Sequence, residues 1–403
     1  MSSKNIIVAF GGVSPEHEVS VITAMQAIDA LKETSYNLIP LYVSKEGTWH
    51  TGEYLLELDH YEDLNQIKAE AFPCTFSHDE YGKPVLKETE KRNFFSSLKT
   101  YDIYSVLISF HGSAGENGSF QGICDFYNVP YTGCDVLSSA LGMDKVRAKQ
   151  YCDHLGIPVV PGENFTEKEW VDRQEQILNE CEYHAYPLIV KPVHLGSSIG
   201  VRQADDRDRL IEAVETAFRY DHHLLVEKAI QPLTEINCSV MGYGYGGELE
   251  TSVCERPVGK EETLSFEDKY QSDDGEGSSK GMASTDRVIP ADIPEEKSTR
   301  ILELSKTIFE AFGASGLARL DFLLNPDQEK IYFNEINTIP GSFSFYLWEE
   351  SGYSFREILL KLIAISRDVH KEKNRRVQSY ETNLLSQKAA KGIKGLKGKE
   401  SNN

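Results

Sequence analysis

Two short stretches in the last third of this 403-residue chain carry carboxylates, an amide and a guanidinium at alternate positions. In Ala318-Arg319-Leu320-Asp321-Phe322, read as a strand, alternation puts Arg319 and Asp321 on one face. In Phe333-Asn334-Glu335-Ile336-Asn337, the same alternation puts Glu335 and Asn337 on one face. Asn325-Pro326-Asp327-Gln328 lies between them and reads as a hairpin turn. The paired strands would gather Asp321, Glu335 and Asn337 beside Arg319. Three oxygen donors suit Mg²⁺, which prefers hard ligands and keeps substrate phosphates in its shell. A solvated, salt-bridged sheet face is the ordinary explanation for alternating charges. It fits less well here, because the rest of both strands is apolar and burying unpaired charge is costly.

A second constellation is Lys191-Pro192-Val193-His194-Leu195-Gly196-Ser197-Ser198-Ile199-Gly200-Val201. A strand ends in lysine and a small-residue loop follows. Small residues let backbone N–H groups approach phosphate oxygens, and the lysine adds a point charge. The GxxxxGK[ST] order of a Walker A loop is absent. Glu227-Lys228 at the end of Leu225-Val226, followed by Glu235, could meet a nucleotide base and sugar. Lys145 in Met143-Asp144-Lys145 and Lys269-Tyr270 in an acidic loop carry little signal alone; each has a solvated surface residue as its ordinary reading.

The elements that must position these residues read as alternating strands and helices. Ile6–Phe10 is a buried strand; Ser14-Pro15-Glu16 starts a helix with Ser14 as its cap; Leu38–Val43 is the next strand. This β-loop-α-β opening predicts a parallel sheet. Residues 55–100 are polar and irregular. Tyr104–Phe110 is a strand, Ser138–Leu155 is helical, and Asp205–Phe218 is an amphipathic helix. Residues 243–285, rich in Gly, Ser, Asp and Glu, read as one long loop of the kind that serves as a lid. Helices are expected over 295–312 and 355–366. The stretch 371–403 has nine Lys+Arg against three Asp+Glu and reads as a disordered basic tail.

Composition narrows the class. The chain has 42 Lys+Arg against 63 Asp+Glu, a net charge of −21, which argues against a general binder of nucleic acid or anionic membrane. The seven cysteines form no CxxC pair and read as reduced thiols; the apolar run at residues 6–10 is too short for a signal peptide or membrane span. The expectation is a soluble cytoplasmic protein.

Taken in order, these motifs resemble the D-alanine–D-alanine ligases of the ATP-grasp superfamily. The resemblance begins at Gly11-Gly12-Val13-Ser14-Pro15-Glu16-His17-Glu18-Val19-Ser20. It continues through His111-Gly112-Ser113-Ala114-Gly115-Glu116-Asn117-Gly118 and the segments named above. It ends at Asn337-Thr338-Ile339-Pro340-Gly341, and in all covers about residues 5–366.

The resemblance implies an α/β fold. A Rossmann-like parallel-sheet domain (1–130) precedes a central ATP-grasp subdomain (131–235) and a C-terminal ATP-grasp domain (236–370), the latter two gripping ATP. It also implies a two-step reaction: the carboxylate of one D-alanine attacks the γ-phosphate of ATP, and the amine of a second D-alanine displaces phosphate from the acylphosphate. Lys145, Lys191, Ser198 and Lys269 would serve the phosphates. Glu227 and Lys228 would serve the adenine and Glu235 the ribose. Asp321, Glu335 and Asn337 would hold two Mg²⁺ ions, with Mn²⁺ as a substitute. Arg319 and the Gly341 N–H would stabilise the tetrahedral oxyanion. Glu18, Ser197 and Tyr270 would hold the donor amine, with His111 beside them, and Lys269 and Tyr270 would ride on a closing lid. A homodimer through the N-terminal domain is implied as well.

Three departures stand out. His194-Leu195 replaces the polar pair usual before Gly-Ser-Ser, the lid after Tyr270 is long and acidic, and Ser342–Glu349 is about four residues short. Ser342 or Ser344 would then take the role of the serine that holds the acceptor carboxylate. The shortened segment raises D-serine, D-lactate or an L-amino acid as alternative acceptors. A catalytically inert nucleotide sensor and a dinucleotide-dependent dehydrogenase are the other classes. The intact Lys, Arg, Asp, Glu and Asn set argues against the first, and the missing GxGxxG against the second.

Overall fold

The computed structural model describes residues 4–91, 96–258, 287–326 and 330–377. Its first sheet holds β1 (Lys4–Gly11), β2 (Tyr36–Val43), β3 (Trp49–Thr51), β4 (Phe72–His78), β5 (Pro84–Glu88), β6 (Thr100–Asp102) and β7 (Ser105–Ile108), in the order β6-β5-β4-β3-β2-β1-β7. Ile6 to Phe10 are fully buried, as a continuous apolar run should be in a strand covered on both faces. β1 pairs in parallel with β2 and β7. The expectation of a parallel sheet holds only for this core. β3 to β6 add antiparallel strands from the region 49–102, whose polar, half-buried sequence hid them.

The helix His17–Leu31 begins later than expected. Ser14 is not its cap: Glu16 occupies that position, and the Ser14 hydroxyl accepts from the Glu16 N–H at 3.1 Å. Gly11 at φ +91° makes the preceding turn possible, since a Cβ there would lie 2.2 Å from the Val43 carbonyl.

A second, antiparallel sheet runs β10-β9-β11-β8 through β8 (Gly162–Thr166), β9 (Leu188–Pro192), β10 (Arg202–Ala204) and β11 (His223–Lys228). A third contains β12 (Thr234–Tyr243) and β13 (Leu249–Thr251). β14 (Arg256–Pro257) and β15 (Arg287–Val288) form a small ribbon beside it. β16 (Ser315–Leu324) and β17 (Ile331–Asn337) complete the third sheet in the order β13-β12-β16-β17.

Three element readings change. The expected loop over 243–285 is structured at its start, where β13 pairs with β12; residues 259–286, with Lys269 and Tyr270, lie outside the described residues. The helix expected over 138–155 is two, Val136–Met143 and Lys145–His154, broken where Asp144 caps the second through the Arg147 N–H at 2.9 Å. The last helix runs from Phe355 to Asn374, past the expected start of the tail; residues 378–403 lie outside the described residues. That helix, capped by a Ser354–Glu357 box, buries Ile358, Leu359, Leu362 and Ile363 in one core with Ile6, Val8, Leu31 and Trp348. Ser105 and Ser366 hydroxyls meet at 2.7 Å, tying that helix to the first sheet.

Candidate active site

A cleft between the second and third sheets encloses about 920 Å³ of empty space, counted to its open mouth. Lys191 enters it from β9, Glu227 and Lys228 from the end of β11, Glu235 from β12, and Glu335 from β17. Ser198 and Lys145 complete one wall, and Val160, Ile189 and Leu323 supply apolar surface.

β16 and β17 pair as their alternation predicts, with Arg319 opposite Asn337 and Asp321 opposite Glu335. Both Asp321 oxygens accept from Arg319, at 2.7 and 2.8 Å, and Asn337 Nδ2 adds a bond at 3.0 Å. Burial pushes the Asp321 carboxyl above its usual range, against the opposing pull of the Arg319 guanidinium that pairs with both its oxygens. A bulge after Asp321 pairs Phe322 with Phe333 and leaves Asn334 as the extra residue. Its side chain is thereby free to turn into the cleft, where Asn334 Oδ1 accepts from Lys191 at 3.1 Å.

The lysines are held by carboxylates. Lys145 lies 3.2 Å from Glu335. Glu227, 1 % exposed, is clamped between Lys149 at 2.6 Å and Lys191 at 2.7 Å. Burial alone would raise the Glu227 carboxyl, but the two ammonium groups hold it below its usual range. Its carboxylate is therefore committed to lysines rather than turned to a base. Lys149 sits one turn after Lys145 on the same helix face, a spacing visible in the sequence but not singled out there. Lys228 is exposed, and its ammonium donates to the His184 carbonyl at 3.0 Å.

A second group of residues lies where the first sheet meets the loop after β9. The Ser197 hydroxyl donates to Glu16, which is 6 % exposed. Gly112 leaves room for this carboxylate: a Cβ there would lie 2.4 Å from Glu16 Oε2. Glu18, expected to fill this role, instead points outward and pairs with Lys45. Glu116 faces the same place; burial and the nearby Glu16 charge push its carboxyl well above the usual range. His111 is buried, its Nε2 is 2.8 Å from Thr23 Oγ1, and burial lowers it to about 4, so it is neutral. The Ser342 N–H donates to the same Thr23 hydroxyl at 3.2 Å, joining His111 to the turn after Gly341.

That turn is unusual. Ser342, Phe343 and Ser344 all take left-handed backbone conformations, with φ of 50°, 52° and 48°. Gly341, Ser342 and Ser344 are all buried, and the Ser344 hydroxyl has no hydrogen-bond partner among the described residues. Beyond it, Tyr346 donates to Glu255 at 3.3 Å, and Arg287 pairs with Glu255 at 2.8 Å. Neither Glu255 nor Arg287 is marked by any motif.

The donor set at Asp321, Glu335 and Asn337 is all oxygen and borders Lys145 and Lys191, a chemistry that fits a hard divalent cation. Two antiparallel sheets closing on such a cleft define an ATP-grasp enzyme. Solved structures agree. The D-alanine–D-alanine ligase from Coxiella burnetii is 27 % identical with a TM-score of 0.76, over 98 % of this chain and 100 % of its own. The VanG D-Ala:D-Ser ligase from Enterococcus faecalis is 30 % identical with a TM-score of 0.73, over 91 % of this chain and 100 % of its own.

The chain belongs to the D-alanine–D-alanine ligase family. Models described as D-ala D-ala ligase N-terminus and C-terminus match residues 5–134 and 151–364. The D-alanine–D-alanine ligase of Thermosipho melanesiensis is 38 % identical over 96 % of this chain and 99 % of its own. That of Caldicellulosiruptor bescii is 34 % identical over 93 % and 98 %.

Proposed function

We propose that the protein joins two D-alanines at the expense of ATP, giving D-alanyl-D-alanine, ADP and phosphate for peptidoglycan precursor synthesis. The observation that carries this reading is the convergence of Arg319, Asp321, Asn337 and Glu335 with Lys145 and Lys191 at one cleft. The full-length likeness to ligases of that name supports the substrate.

Lys145 and Lys191 hold phosphate oxygens, exchanging their carboxylate partners for them. Ser198 lies in the loop beside them, and Lys269 adds a cation from the lid. The backbone of Glu227 and Lys228 reads the adenine edge, and Glu235 takes the ribose. Asp321, Glu335 and Asn337 would hold two Mg²⁺ ions, or Mn²⁺ in their place, which would supply positive charge against that of the transferring phosphoryl group. Glu16 accepts the donor ammonium, with Ser197 and Tyr270 fixing it, and neutral His111 donates or accepts a hydrogen bond without adding charge. Arg319 and the Gly341 N–H face the oxyanion of the tetrahedral intermediate. Ser342 or Ser344 would hold the acceptor carboxylate. The lid carrying Tyr270 keeps water from the acylphosphate. The enzyme works in the cytoplasm as a homodimer.

The test is an acceptor screen with ATP and Mg²⁺, using D-alanine as donor. Dipeptide from D-alanine alone is the expected result. Product only with D-serine, D-lactate or an L-amino acid would overturn the acceptor assignment.

A further inference from the structure

The active site leaves one cluster unused, at the departure His194. His194 lies in the loop after β9, and Asp221-His222 in the turn before β11. His194 Nδ1 is 3.2 and 3.0 Å from the two Asp221 oxygens, and His222 Nδ1 is 3.2 Å from Asp221 Oδ1. One ligand atom from each of the three lies within 4.8 Å of the others. The two imidazoles are nearly parallel, their ring centres 5.6 Å apart.

We propose that His194, Asp221 and His222 form a binding site for a divalent transition metal of the Zn²⁺ class, separate from the oxygen-only site at Asp321, Glu335 and Asn337. The donor chemistry distinguishes the two: imidazole nitrogens select Zn²⁺, Co²⁺ or Ni²⁺ over Mg²⁺. The spacing suits it, because ligands about 2.0–2.1 Å from a tetrahedral Zn²⁺ lie roughly 3.3 Å from one another. The surroundings suit it too. Asp144 Oδ2 lies 3.5 Å from His194 Nε2, on the far side of the ring. A carboxylate there orients a metal-bound histidine and fixes its tautomer. Asp221 is nearly buried, and its oxygens also accept the N–H groups of His194 and His223, at 2.7 and 3.2 Å. One ligand is thus pre-positioned. His222 is exposed at 76 % of its side chain, which leaves the fourth coordination position open to water.

The bound ion would take the His194 Nδ1 position that faces Asp221, while Nε2 keeps its proton toward Asp144. It would also clasp the loop carrying Ser197 and Ser198 to the turn before β11. Asp144, whose carboxylate faces His194, directly precedes Lys145 in the cleft wall.

The test uses the full-length chain, stripped with chelator, without ATP or D-alanine, and with excess Mg²⁺ present. Zn²⁺ is titrated calorimetrically, and Co²⁺ is followed by its visible absorption. One ion per chain is expected, with intense Co²⁺ bands and a raised melting temperature. His222→Ala, at an exposed position, should weaken Zn²⁺ binding at least tenfold while melting like the parent when metal-free. Equal affinity in the parent and in both His222→Ala and His194→Gln would overturn the site. So would binding lost only in Asp321→Asn, which would move the ion to the ATP cleft.

Discussion

Ser197 donates its hydroxyl proton to Glu16, not to Glu18, which lies two residues on and pairs with Lys45 at the surface. The helix begins at His17, so Glu16 stands at its N-cap with its carboxylate directed back toward Gly112 and Gly196. Glu16→Gln should therefore lower kcat/KM for the donor by about 30- to 150-fold, the ~2–3 kcal/mol of a hydrogen bond to a charged group. Glu18→Gln should stay within about twofold of the parent. Initial rates against D-alanine concentration check both, and the reverse ranking would sink the assignment.

Asp321 is buried and accepts three hydrogen bonds from Arg319 and Asn337. Asp321→Asn keeps the shape but removes the charge. Turnover should fall and the Mg²⁺ concentration for half-activation should rise by about 10- to 100-fold. A Mg²⁺ titration of activity reads this out; an unchanged midpoint would remove Asp321 from the ligand set.

Lys149 is nearly fully buried and shares Glu227 with Lys191. Lys149→Met should cost about 3 kcal/mol, because removing one partner leaves the buried charge undercompensated. Urea denaturation followed by circular dichroism measures it. The same variant should raise the KM for ATP, since Glu227 then draws more strongly on Lys191.

His111 supplies a pH dependence with a definite sign. Burial lowers its ring from the ordinary 6.5 to about 4. Between these values the unfolded chain binds the extra proton and the folded chain does not, so stability rises with pH from 4 to 6.5 and is lost as pH falls. The lost contribution is ~3 kcal/mol below that window. His111→Gln should flatten this part of the stability–pH curve; a slope unchanged by the substitution would contradict the buried neutral ring.

Much of this site was legible in the residues alone. The alternation around Arg319, Asp321, Glu335 and Asn337 carried their pairing, because strand periodicity is local and both strands had apolar alternate faces. Lys191 before a Gly/Ser loop was equally local. The antiparallel edge of the first sheet was not legible, because edge strands are short and half-polar and depend on partners distant in sequence.

The order of elements and the chemical inventory are local properties of the chain: which lysines, carboxylates and histidines exist and on which strand ends they sit. Tertiary structure alone decided which of them meet. A start of the helix at His17 chose Glu16 over Glu18, a bulge turned Asn334 to Lys191, and burial committed Glu227 to Lys149. It also brought His194 to His222 across 28 positions of chain. These choices rest on helix starts, bulges and contacts between segments far apart in the chain, where competing local arrangements differ by only about 1–2 kcal/mol and packing settles the outcome.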